Sequence, residues 1–215
     1  FGGANAEINM EDNKVFLTQH PNIDYIVYGD GEKSFSNIIE NYKRLDMCKE
    51  WRSKLKSIPI DGCRTLLDKK LIHGNPIDPV MDLMEIPSPY LTGVFDELLQ
   101  DPVLMPILQN IRGCPYRCRF CVSGTQLGKI RNFSLERIKE EITFLRHNAK
   151  SRIVRFSDDN FGLIKNDLEL AKYIRKCFDT YKYPASLKVY SAKKQNDRTR
   201  EVSLILKPLM TFCIS

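Results

Sequence analysis

An α/β fold built on parallel strands is the class this sequence predicts, and three observations predict it. From residue 106 onward, short β-branched runs alternate with helix-length amphipathic segments, the pattern of parallel βαβ units. Residues 1–45 carry a shorter version of the same alternation and read as the tail of an α/β domain. Between them, residues 46–105 are broken by Pro59, Pro76, Pro79, Pro87, Pro89 and Pro102 and lose helical periodicity, as an interdomain connection does.

Each element follows from local chemistry. Phe1-Gly2-Gly3 reads as the end of a strand. Ile23-Asp24-Tyr25-Ile26-Val27-Tyr28 is a β-rich run closed by the turn Gly29-Asp30-Gly31-Glu32. Apolar residues at 35, 38, 39, 42 and 45 predict an amphipathic helix with Ser34 as its cap. Residues 63–72 fit a small hairpin. Ile86-Pro87-Ser88-Pro89-Tyr90 is extended, because a residue before proline avoids the helical region. A strand is expected at 107–111, a long loop at 114–132 and a helix at 134–145 capped by Ser134. Further strands are expected at 153–156 and 187–190, further helices at 166–181 and 198–206, and a fourth strand opens at 210.

Composition narrows the function classes. Of the 215 residues, 42% are hydrophobic and 28% charged, an ordinary globular balance. No apolar run reaches the ~18 residues a membrane span needs, and no secretory signal is visible. The net charge of +6 comes from scattered Lys and Arg, which favours a solvated surface over a nucleic-acid patch. The first residue is Phe and the last residues are Phe212-Cys213-Ile214-Ser215, which reads as a piece of a longer protein. Seven cysteines, an odd number, argue against a disulfide framework and for a reducing, cytoplasmic compartment.

Three of those cysteines stand in Arg112-Gly113-Cys114-Pro115-Tyr116-Arg117-Cys118-Arg119-Phe120-Cys121, with gaps of three and two residues. The loop follows a strand, so it lies at the strand end where α/β folds place their sites. Thiolates select zinc or iron–sulfur clusters. Structural zinc wants four ligands, and no fourth is evident: His147 and Cys177 lie on later helices. Three cysteines on a cubane cluster leave one iron open for a further ligand. Zinc and free thiols remain as alternatives. His73 and His147 read as structural, and Cys48, Cys63, Cys177 and Cys213 as small packing residues.

With this loop the sequence resembles the radical SAM superfamily. The Cys-x3-Cys-x2-Cys spacing carries the resemblance, with aromatic Phe120 before the last cysteine, a strand before it and helical alternation after it. The resemblance implies a (β/α)6 partial TIM barrel of which 106–215 form the first half. It implies a [4Fe–4S] cluster on Cys114, Cys118 and Cys121, with S-adenosylmethionine on the open iron. One electron, from a donor such as flavodoxin or ferredoxin, then gives methionine and a 5′-deoxyadenosyl radical. It further suggests that Asp158 and Asp159 contact the methionyl ammonium, that Ser191 shares that pocket, and that Phe120 packs near the adenine. Asp158 and Asp159 have a plainer reading as turn caps.

The resemblance extends upstream to the class with an N-terminal cobalamin-binding domain. Gly2-Gly3, the run Asp24-Tyr25-Ile26-Val27-Tyr28-Gly29-Asp30-Gly31-Glu32 and Ile86-Pro87-Ser88-Pro89-Tyr90 carry it. It implies that residues 1–45 end a Rossmann-like domain in which Gly2, Gly3, Gly29 and Gly31 approach cobalamin, with 46–105 as the linker. The Asp-x-His-x-x-Gly motif of that class is not in this sequence, and His20 lacks its spacing. The expectation is a fragment, inactive by itself, of a radical SAM enzyme performing methyl transfer or a rearrangement. The alternatives are a methylthiotransferase-like enzyme without cobalamin, and a non-catalytic zinc or iron–sulfur module. The substrate is not readable.

Overall fold

The computed structural model describes residues 1–2, 6, 9–45, 50–116, 118–119, 121, 129–194 and 196–210. Gly3, Cys48, Arg117, Phe120, Cys213 and all but the first residue of the expected fourth strand lie outside the described residues. The chain divides into two units: residues 1–81 with 116–128, and 82–115 with 129–215.

In the first unit, α1 (Met10–Gln19) is capped by Asn9, whose side chain accepts from the Glu11 amide. Strand β1 (Ile26–Val27) leads through Gly29 into α2 (Gly31–Arg44) and then α3 (Trp51–Lys56). Strands β2 (Cys63–Leu67) and β3 (Lys70–His73) form the expected hairpin. The hairpin joins β1 in a three-stranded sheet of order β1-β2-β3, with both pairings antiparallel. A parallel bridge joins Gly2 to Val27 on the other side.

Two features bear on the sequence expectations. First, the compact unit that holds residues 1–45 continues past them. Ile26 pairs with Arg64 and Val27 with Cys63, and Tyr25, Leu55, Ile60 and Cys63 share one core. The linker's first half therefore packs into the sheet, and the unit runs to Met81. The prolines hide this, because they interrupt periodicity without preventing burial. Second, α2 starts at Gly31 with Asp30 at its N-cap, not at Ser34. Ser34 is fully buried inside the helix. The Asp30 carboxylate instead accepts from the Val80 amide at 2.8 Å.

The second unit holds a parallel sheet of order β4-β7-β8 (β4 Ile107–Leu108, β7 Ile153–Phe156, β8 Ser186–Lys188). Helix α4 (Leu135–Asn148) leads into β7 and α5 (Lys165–Tyr181) into β8, and α6 (Asp197–Leu206) follows. Met210 bridges to Leu187 in parallel. Ser134 caps α4 by accepting from the Arg137 amide. Phe156, Phe161, Ile138, Ile142, Leu145, Leu170, Ile174, Leu187 and Leu206 are among the fully buried side chains of this unit's core. Each contributes roughly 1.5–3 kcal/mol by leaving water.

The strand expected at 107–111 is two short strands. Ile107–Leu108 runs with the parallel sheet, and β5 (Ile111–Arg112) turns away to pair antiparallel with β6 (Arg131–Asn132). Gln109 and Asn110 make the break. The polar pair Gln109-Asn110 interrupts the run in sequence, but local propensity on either side does not show that the two halves pair with different strands.

Candidate functional site

Parallel strands bring loops from distant sequence to one edge of a sheet. In the second unit the C-terminal ends of β4, β7 and β8 lead into residues 109–115, 157–160 and 189–192. The β5–β6 ladder, Ile111 opposite Asn132 and Arg112 opposite Arg131, closes the base of the cysteine loop. Phe133 N–H donates to the Asn110 carbonyl at 3.0 Å and extends that closure.

A buried acid fixes the break before the loop. Oδ1 of Asp158 accepts from the amides of Asn110 (2.9 Å) and Ile111 (2.7 Å). Asp158 is 1% exposed, and its Oδ2 has no hydrogen-bond partner among the described residues. Burial, the largest influence, pushes this carboxyl up to about 7 against the pull of the two amides. One oxygen of Asp158 is thus committed to backbone amides. Asp159 next to it is exposed.

A second acid extends the network. The Asn110 side-chain amide donates to Oδ1 of Asp167 at 2.6 Å, and Oδ2 of Asp167 accepts from Gly162 and Ile164 amides at 2.9 Å each. Burial pushes the Asp167 carboxyl up to about 6, while its backbone donors pull it down. Asn110, Asp167 and Asn160 were not singled out from the sequence. Their signal is weak: a polar residue beside a strand end looks like any turn residue until its burial is known.

The cysteines are free and half-buried. Cys114 lies in the second unit, and its sulfur accepts a hydrogen bond from Asn160 Nδ2 at 3.2 Å. Cys118 and Cys121 lie in the segment grouped with the first unit, where Cys121 N–H donates to the Cys118 carbonyl at 3.1 Å. Among the described residues, no group of three His, Cys, Asp or Glu side chains is arranged to hold a metal ion. The donor chemistry nevertheless fits a thiolate-bound cluster: three unpaired soft ligands on one loop, one of them already facing an N–H donor.

Ser191 is half-buried beyond β8 and bridges in parallel to Phe161. In the first unit Gly29 has φ +74° with open space where a Cβ would stand, a conformation that favours glycine. Gly31 opens α2. A Cβ on Gly2 would stand 3.0 Å from the Val27 carbonyl oxygen, so glycine there serves the close strand contact.

Comparison with known proteins matches residues 110–206 to the radical SAM superfamily. The chain is 31% identical over 195 residues to 2-(S-pantetheinyl)-carbapenam-3-carboxylate methyltransferase of Streptantibioticus cattleyicolor, covering 87% of this chain and 27% of that protein. It is 28% identical over 195 residues to the cobalamin-dependent radical SAM methyltransferase TokK of Streptomyces tokunonensis, with the same coverage of 87% and 27%. The chain therefore spans about a quarter of the length of these relatives. The fold is similar to that of the radical S-adenosylmethionine methyltransferase TsrM of Kitasatospora setae, at a TM-score of 0.56 and 15% identity over 88% of this chain and 36% of that one.

Proposed function

We propose, because residues 110–206 match the radical SAM superfamily, that this chain is part of a cobalamin-dependent radical SAM methyltransferase. The observation that carries the reading is the cysteine loop at the C-terminal edge of a parallel sheet, with the Cys114 sulfur accepting an N–H bond from the next strand's loop. Cys114, Cys118 and Cys121 would hold a [4Fe–4S] cluster. When bound, the cluster and S-adenosylmethionine supply one-electron cleavage of the sulfonium to methionine and a 5′-deoxyadenosyl radical, the electron coming from a reduced redox protein.

The chain's own residues have separable tasks. Asp158 holds the backbone where the break at Gln109 and Asn110 enters β5. Asp159, exposed at the same strand end, is the carboxylate we assign to the cofactor's ammonium, and Ser191 lies at the neighbouring strand end. Gly29 and Gly31 form the turn we assign to cobalamin. Methyl transfer is preferred to rearrangement because the two relatives described above are methyltransferases by name.

Anaerobic reconstitution with iron and sulfide tests the reading. The expected result is about four irons per chain, with the broad absorption of a thiolate-bound cluster. The full-length protein should release 5′-deoxyadenosine when S-adenosylmethionine and dithionite are added, and should copurify with cobalamin. A chain that takes up only zinc overturns the proposal.

A further inference from the structure

We propose that Asn160 is a positioning residue for the cluster ligand Cys114, its side-chain amide holding the sulfur by an N–H···S bond that raises the reduction potential of the bound cluster. The inference rests on the reading of Cys114 as a cluster ligand and goes beyond it, since nothing in that reading requires a partner for the sulfur.

Three observations carry it. Asn160 is 3% exposed and its Nδ2 stands 3.2 Å from the Cys114 sulfur. The other end of the amide is committed: Oδ1 accepts from the Lys193 backbone N–H at 3.3 Å. That contact selects the orientation in which nitrogen, not oxygen, faces sulfur. The backbone beside it is clamped, with Phe161 N–H donating to the Tyr190 carbonyl at 2.8 Å and the Phe161 carbonyl accepting from Ala192 N–H at 3.0 Å. Asn160 thus joins three strand ends and is held where a ligand sulfur needs a donor.

The sign of the effect follows from charge. Adding an electron to a cluster increases negative charge on its sulfurs, and an N–H donor stabilises that charge. A ligand's hydrogen-bond partner also fixes its direction. Removing the donor should therefore disfavour the reduced cluster.

The test is an electron-paramagnetic-resonance-monitored redox titration of the reconstituted full chain, comparing wild type with Asn160→Leu and Asn160→Asp. Leucine removes the donor without adding charge, and aspartate keeps an acceptor for Lys193. Both variants are expected to keep wild-type iron content and to titrate at a more negative potential. The reduced wild type, labelled with ¹⁵N-asparagine, is expected to show a nitrogen coupling that both variants lose. Variants with full iron and unchanged potential, or a labelled wild type without that coupling, would overturn the inference while leaving the cluster assignment standing. A wild type that binds no iron–sulfur cluster would overturn the assignment of Cys114 and this inference with it.

Discussion

Asn110 Nδ2 donates to Oδ1 of Asp167 at 2.6 Å, tying the residue before β5 to the first turn of α5 across 57 positions of sequence. Asp167 also accepts from two backbone amides, so one buried carboxylate serves three donors. Asp167→Asn keeps the size but sets an NH2 group against one of those donors. Leaving buried donors unpaired costs about 1–3 kcal/mol each. The midpoint of urea unfolding should fall accordingly, and an unchanged midpoint would show that water satisfies the donors.

Asp158 and Asp167 give stability a pH dependence of defined sign. Burial pushes their carboxyls up to about 7 and about 6, above the value of about 4 for an unfolded chain. The folded state therefore binds more protons than the unfolded one between about pH 4 and 7. The stability these groups contribute is full below about pH 4 and is lost as pH rises through their folded values. Asp158→Asn retains an oxygen acceptor for the Asn110 and Ile111 amides and cannot ionise. Stability measured from pH 4 to 8 should decline less steeply in this variant than in wild type.

Arg137 Nε donates to Glu141 Oε1 at 3.1 Å with both side chains under 10% exposed. Its guanidinium lies 4.5 Å over the Phe133 ring and also donates to the Ile86 carbonyl. The pair thus holds the Ile86-Pro87 segment against α4. Glu141→Gln leaves a buried guanidinium without its counter-charge, which costs about 3–5 kcal/mol. Thermal unfolding should show the loss, and Arg137→Met with Glu141→Leu together should recover much of it.

Gly74 permits a close backbone approach in the first unit. A Cβ there would stand 2.3 Å from the Ile60 carbonyl carbon and 2.4 Å from the Asp61 nitrogen. Backbone cannot yield as a flexible side chain does. Gly74→Ala should destabilise this unit by more than the ~1 kcal/mol typical of point changes. Amide hydrogen exchange should report faster exchange across β2 and β3 and little change in the second unit.

Iron content would separate the proposed ligand cysteines from the packing ones. Cys114→Ala, Cys118→Ala and Cys121→Ala should each lose most reconstituted iron. Cys177→Ala, a change at a buried position on α5, should keep it at some cost in stability. Full iron in any of the first three would remove that residue from the ligand set.

The sequence by itself determined the class of the fold and the identity of the candidate metal-binding loop. Alternation of strand and helix is written in local periodicity, and the helices at 135–148, 165–181 and 197–206 fall within a few residues of their expected spans. The cysteine spacing is likewise a local fact. Tertiary structure alone decided the rest. It placed the hairpin at 63–73 in the first unit's sheet, split the run at 107–112 between two sheets, and turned Asp158 inward while leaving Asp159 exposed. It also brought Asn160 to the Cys114 sulfur. The physical reason is common to all four: each is settled by which partner a backbone or side-chain group meets across tens of residues, and that is fixed only when the strands are laid side by side.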